Sequence, residues 1–95
     1  MSSYPLSIVT PSGKIFDGQA EFLSACGSEG VFGVLGHHAP MVSSLKEGTL
    51  KVKHHGEEKK FKTSAGVLEI NAQGKVLVLL DSATAINPSA TSAKS

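Results

Sequence analysis

The residues of this chain best suited to chemistry are four histidines, paired as His37-His38 and His54-His55, and the lone Cys26. A zinc site needs three or four ligands converging on one point. Adjacent residues of an extended strand point to opposite faces, so each pair offers one ligand to a shared site unless a special loop intervenes. No His-x-His or Cys-x-x-Cys spacing supplies the others. The expectation is no metal, with His54-His55 a solvated hairpin tip. Nucleophiles fare no better. Cys26 beside an apolar run fits a quiet thiol, and Ser64 in TSAGV lacks the Gly-x-Ser-x-Gly setting of a strained nucleophile. The glycines of SEGVFGVLG have neither phosphate-loop spacing, and no helix follows to offer an anion-binding N-terminus. Asp17, Glu21 and Asp81 are isolated acids that suit surface or turn positions. These residues point to no catalytic site and no cofactor.

The elements that must hold them are short. A chain of 95 residues makes one domain. A formal charge of +1 and few aromatics, four Phe, one Tyr and no Trp, argue against nucleic-acid binding. Local basic character is confined to Lys51 to Lys62, interleaved with Glu57 and Glu58. A single cysteine excludes an internal disulfide and fits a reducing, cytoplasmic setting. MSSYPLSIVTPSG has no secretory pattern. Nowhere does an apolar run reach the roughly 18 residues of a spanning helix.

Along the chain, apolar or alternating runs are punctuated by Gly, Pro and Asn. Leu6 to Thr10, Lys14 to Gln19, Ala20 to Ala25, Val31 to Leu35, Met41 to Leu45, Thr49 to His54, Glu58 to Thr63, Ala65 to Asn71 and Lys75 to Asp81 read as nine strands. Their spacing predicts an all-β sandwich or flattened barrel, with no amphipathic helix. Leu50 to Lys53 alternates cleanly and is half-buried. Val76 to Leu80, VLVLL, is apolar throughout, so its outer face needs a cover, from loops or from another chain. The domain is expected to span 1–87. Pro88 ends regular structure, and the small polar residues to Ser95 read as a disordered tail, 88–95.

Three motifs in order carry a family resemblance: TPSGKIFDG near the start, Gly27 to Met41 with its His-Ala-Pro, and SAGVLEI before VLVLLDSA. From Leu6 to Ala85 the chain resembles the epsilon subunit of bacterial F-type ATP synthases. The resemblance implies a ten-stranded sandwich of two five-stranded sheets, a non-catalytic rotor subunit at the foot of the central stalk. It would bind the gamma subunit and the c-ring, coupling proton flow to ATP synthesis. It would lie on the cytoplasmic face of the bacterial inner membrane as a peripheral protein, with no direct insertion. The positions matching gamma contacts are Thr10, His38, Ala39, Pro40, Met41, Val42 and Ser43, although Met41 and Val42 also suit core packing. Those matching the c-ring contact are Ser28, Glu29, Gly30, Val31 and Phe32. Three residue departures stand out. Gly36 replaces a common Pro and His37 a common Gly before His-Ala-Pro, and Val31 stands where many relatives carry an acid. Family members usually continue into two helices that restrain ATP hydrolysis and in some bind ATP. The chain stops short of them, so no helical brake and no nucleotide site are expected.

Two rivals follow from the residues. A lipoyl- or biotinyl-type carrier domain is also a small β-sandwich, but Lys75 lacks the flanking Met or Asp. A small metal-dependent β-barrel would use His37, His38 or His54.

Overall fold

The computed structural model describes residues 3–36 and 39–86. His37, His38 and the expected tail, 88–95, lie outside the described residues. Ten strands follow in order: β1 Tyr4–Thr10, β2 Gly13–Ala20, β3 Phe22–Gly27, β4 Gly30–Val34, β5 Met41–Leu45, β6 Gly48–His54, β7 Glu57–Thr63, β8 Gly66–Ile70, β9 Val76–Leu80 and β10 Ala83–Ile86. The residue pattern predicts the first nine. The tenth pairs antiparallel with β7 from Ala83–Thr63 to Ile86–Lys60. At four residues, with two small alanines, β10 carries too little apolar alternation to read as a strand.

One sheet, sheet I, runs β5-β8-β9-β1-β2, and the other, sheet II, runs β10-β7-β6-β3-β4. Hydrogen bonding passes between them at Gly27–Leu45, so the sandwich is a nearly closed barrel. All pairings are antiparallel except β1 with β9, which run parallel from Leu6–Val76 to Val9–Leu79. The chain changes sheets five times, from β2 to β3, β4 to β5, β5 to β6, β7 to β8 and β9 to β10. The SAG segment makes one of these changes. Ser64 Oγ accepts the amide hydrogens of Asp81 and Ser82, each at 3.0 Å, and donates to the Ala65 carbonyl at 2.9 Å. This serine is a staple between two corners, which explains the motif without catalysis.

Alternation decides what is inside. Leu6, Ile8, Leu68, Ile70, Val76 and Val78 of sheet I meet Leu23, Ala25, Leu50, Val52 and Phe61 of sheet II in one core. Tyr4 links the layers, its buried hydroxyl donating to the Val34 carbonyl at 2.6 Å. That burial holds the phenol well above its ordinary pKa. The seam between β2 and β6 is closed by Glu21 N–H to Lys53 C=O at 2.8 Å and by His54. His54 Nδ1 lies 2.6 Å from the Gln19 carbonyl, and its ring meets Phe16 edge-on at 5.2 Å. The expected solvated tip is therefore corrected for His54, which is half-buried and structural. His55 sits in the turn at φ 51°, followed by Gly56 at 77°. Positive φ at both central positions matches the twist of the flanking strands.

Candidate partner-binding surfaces

Register places the outward residues of sheet I in two rows. One is Val9-Leu79-Val67-Ser44 and the next is Ser7-Leu77-Glu69-Val42. Leu79 is 46% exposed, Val67 40% and Val42 70%. Among the described residues nothing covers the outer face of VLVLL at Leu79. Burial of these side chains would contribute about 25 cal/mol per Å² of apolar surface removed from water. At the β1–β2 edge, Ser7 Oγ donates to Asp17 at 2.9 Å and Lys14 pairs with Asp17 at 3.3 Å. The Ser7 hydroxyl and then the Lys14 ammonium hold the Asp17 carboxyl below its ordinary range.

Of the seven positions matched to gamma contacts, the six among the described residues do not form one patch. Val42 faces outward beside the apolar rows, whereas Met41 and Ser43 fall on the inward rows opposite Ile70 and Leu68. Met41 is nonetheless 41% exposed, because β5 has a neighbour on its β3 side only at Leu45. Ala39 and Pro40 are exposed and precede the same end of β5. Thr10 lies at the opposite end, since Val9–Leu79, Leu80–Gly66 and Leu45–Gly27 align that edge with the β3–β4 turn. Its hydroxyl accepts from Ser12 N–H and donates to the Gly13 carbonyl, both at 3.2 Å, so it closes its own turn.

The positions matched to the c-ring do converge. Ser28, Glu29, Gly30, Val31 and Phe32 line a shallow recess of about 460 Å³ with Val42, Ser43 and Ser44. Gly30, at φ 135°, makes the turn, a conformation side chains rarely adopt. Phe32 packs on Gly27, where an added Cβ would lie 2.8 Å from its ring. With Phe32 held inward, Val31 points out and is 72% exposed. A second groove, about 640 Å³, opens between β2 and the β7–β10 edge, floored by Phe16, Phe61 and Ala85. Among the described residues no three His, Cys, Asp or Glu side chains converge on a metal position. Cys26 Sγ packs against Gly48 and lies 3.8 Å from the Thr49 carbonyl. No helix among the described residues is long and apolar enough to cross a membrane.

The feature that sequence reasoning missed is the joint outer face of β1, β8 and β9. VLVLL signals it, but Val9 and Val67 join it only through strand order.

Comparison with known proteins agrees with this architecture. The chain is 40% identical over 78 residues to the ATP synthase epsilon chain of Desulforamulus reducens, covering 82% of this chain and 58% of that relative. It thus spans a little over half the length of that relative. The epsilon chain of Caulobacter vibrioides is 33% identical over 82% of this chain and is itself covered to 91%. A chain from the cryo-EM structure of the Tetrahymena thermophila mitochondrial ATP synthase central stalk and c-ring superposes with a TM-score of 0.77. It is 15% identical, and the match covers 86% of this chain and 66% of that one. The family model for the ATP synthase delta/epsilon chain β-sandwich domain matches residues 3–86. By that match and its identity to the epsilon chains, this chain belongs to the ATP synthase delta/epsilon β-sandwich family.

Proposed function

We propose that this domain is a non-catalytic central-stalk component of an F-type ATP synthase. It joins the gamma subunit to the c-ring and turns with both, passing torque through a stiff two-sheet body. The observation that carries the reading is the apolar outer face of sheet I, Val9, Val67, Leu77 and Leu79 with Val42 at its margin, on a domain of this family. Gamma is its occupant. The Ser28 to Phe32 turn meets the c-ring, and because Val31 is the exposed side chain there, that contact is more apolar than an acid at this position would make it. Thr10, with its hydroxyl used in a turn, contributes shape more than hydrogen bonding. Ala39 and Pro40 present the loop before β5, and His38 belongs to the same segment. In the assembled enzyme the domain sits as a peripheral protein at the cytoplasmic face of the inner membrane and holds no nucleotide. The relative covered to 91% supports a coupling role for little more than the sandwich alone.

The test is a pull-down with the cognate gamma subunit, comparing wild type with a Val42→Asp, Leu79→Asp variant. Both residues are exposed, and the acid at position 42 falls opposite Glu69, so the melting temperature should drop only slightly while retention falls at least tenfold. Unchanged retention, or no retention of folded wild type, would remove gamma from this face.

A further inference from the structure

The outer face of sheet II has the opposite character. Alternation along β6 and β7 sends Lys51, Lys53, Lys60 and Lys62 outward, four of the chain's nine basic residues. Register sets Lys51 directly opposite Lys60, Lys53 opposite Glu58, and Lys62 between Thr49 and Thr84. Four ammonium groups thus share a strip with one carboxylate. Among the described residues the one ion pair is Lys14–Asp17, on the other sheet. Like charges directly opposite each other on a sheet face are destabilising, and Lys60 is half-buried, where solvent screens it less. The neighbours across the strip, Ser24 beside Lys51 and Phe22 beside Lys53, offer no counter-charge. A face that keeps an unfavourable pair is a candidate for binding something that relieves it.

We propose that this lysine strip is a docking surface for an acidic segment of another polypeptide, distinct from the gamma and c-ring contacts. Its shape selects the occupant. The strip is one strand pair wide, about 5 Å, and runs about 13 Å from Lys53 to Lys62 at about 3.3 Å per residue. Carboxylates at alternate positions of an extended segment, or about 6 Å apart at i and i+4 on a helix, match the repeat of the strip. An anionic membrane favours a wider basic field with inserted apolar side chains. The one aromatic on this face, Phe22, instead lies over Gly33, where an added Cβ would sit 2.8 Å from its ring. A net charge of +1 gives nucleic acid little long-range attraction.

The experiment measures fluorescence anisotropy of a labelled eight-residue polyglutamate peptide, titrated with the full chain at low and at physiological salt. Wild type should bind, and affinity should fall as salt rises. Lys51→Gln with Lys60→Gln should weaken binding at least tenfold. Removing the same charge elsewhere, by Lys46→Gln with Lys75→Gln, should change it less than twofold. Lys60→Glu should bind more weakly still yet melt at a higher temperature, because it places an acid opposite Lys51. Equal losses in both double variants, or no binding by wild type, would overturn the proposal. So would a lower melting temperature for Lys60→Glu, or preferential binding to phosphatidylserine vesicles or to inorganic polyphosphate.

Discussion

The two sheets bury the same kind of surface and expose opposite kinds. Inside, Val78 and Leu68 of sheet I face Val52 and Leu50 of sheet II, and nothing in their chemistry distinguishes the layers. Outside, sheet I shows Leu79, Val67 and Val42, while β6 and β7 of sheet II show Lys51, Lys53, Lys60 and Lys62, with exposed Phe22 and Val31 set apart on β3 and β4. The core needs only apolar residues of suitable volume at alternate positions. The solvent face is released from that demand, so its composition reports what meets it. A net charge near zero conceals this division.

The comparison can be broken most severely from inside sheet I. At Gly66 an added Cβ would run into the Leu79 carbonyl oxygen and the Leu80 side chain. Backbone cannot swing aside, so Gly66→Ala should destabilise by about 2–4 kcal/mol, at the upper end of overpacking effects, read as a lower urea midpoint. At Gly33 in sheet II the obstacle is the Phe22 ring, a side chain 36% exposed and free to rotate outward. Gly33→Ala should cost about 1 kcal/mol or less. Equal costs would mean that sheet I is no more tightly closed at its corner than sheet II along its edge.

Tyr4 tests whether the sheets act as one body. Its hydroxyl bridges β1 of one to β4 of the other. Tyr4→Phe leaves the Val34 carbonyl without that partner, and the expected loss is about 1–2 kcal/mol. Hydrogen exchange should rise in β4 more than in β9. A uniform rise would show the two layers unfolding together.

These contrasts were unevenly legible in the sequence. Alternation in LKVK gave burial directly, because side-chain direction in a strand has period two, whereas the unbroken VLVLL called for cover on both faces and Leu79 is 46% exposed. The corner role of Ser64 was hidden, since its partners, Asp81 and Ser82, are distant in sequence and become neighbours only through strand order. For the same reason Val9 and Val67 could not be grouped with Leu79. His54 at an apparent hairpin tip looked solvated, and only the closure of β2 against β6 gives it the Gln19 carbonyl and the Phe16 ring. The Lys51–Lys60 opposition depends on hairpin register, which a turn of uncertain length leaves open by a residue.

Making one outer face resemble the other sharpens the comparison at small energetic cost. Val67→Lys with Leu79→Lys gives sheet I a basic strip of its own. Both positions are exposed, but they face each other directly, so beyond about 0.5 kcal/mol per site the like-charge pair should cost up to about 1 kcal/mol more, while gamma binding falls at least tenfold, about 1.4 kcal/mol. The polyglutamate affinity of the sheet II strip should be unchanged within twofold. A variant that loses both activities would show that the two faces are not independent.

The smallest effect lies at the margin of the apolar face, where Asp17 accepts from Ser7 and pairs with Lys14. Both partners favour the ionised carboxylate, so its pKa in the folded domain lies below the ordinary range of an aspartate. The unfolded chain therefore binds the proton first as pH falls. Stability from Asp17 is fully present above the unfolded pKa and is lost as pH drops below about 4 through the lower folded value. Asp17→Asn should leave the melting temperature near pH 7 close to wild type and flatten its decline below about pH 4. If Asp17→Asn leaves that limb as steep as in wild type, the acid sensitivity belongs to the overall charge of the domain and not to the Ser7–Asp17–Lys14 cluster at the edge of the apolar face.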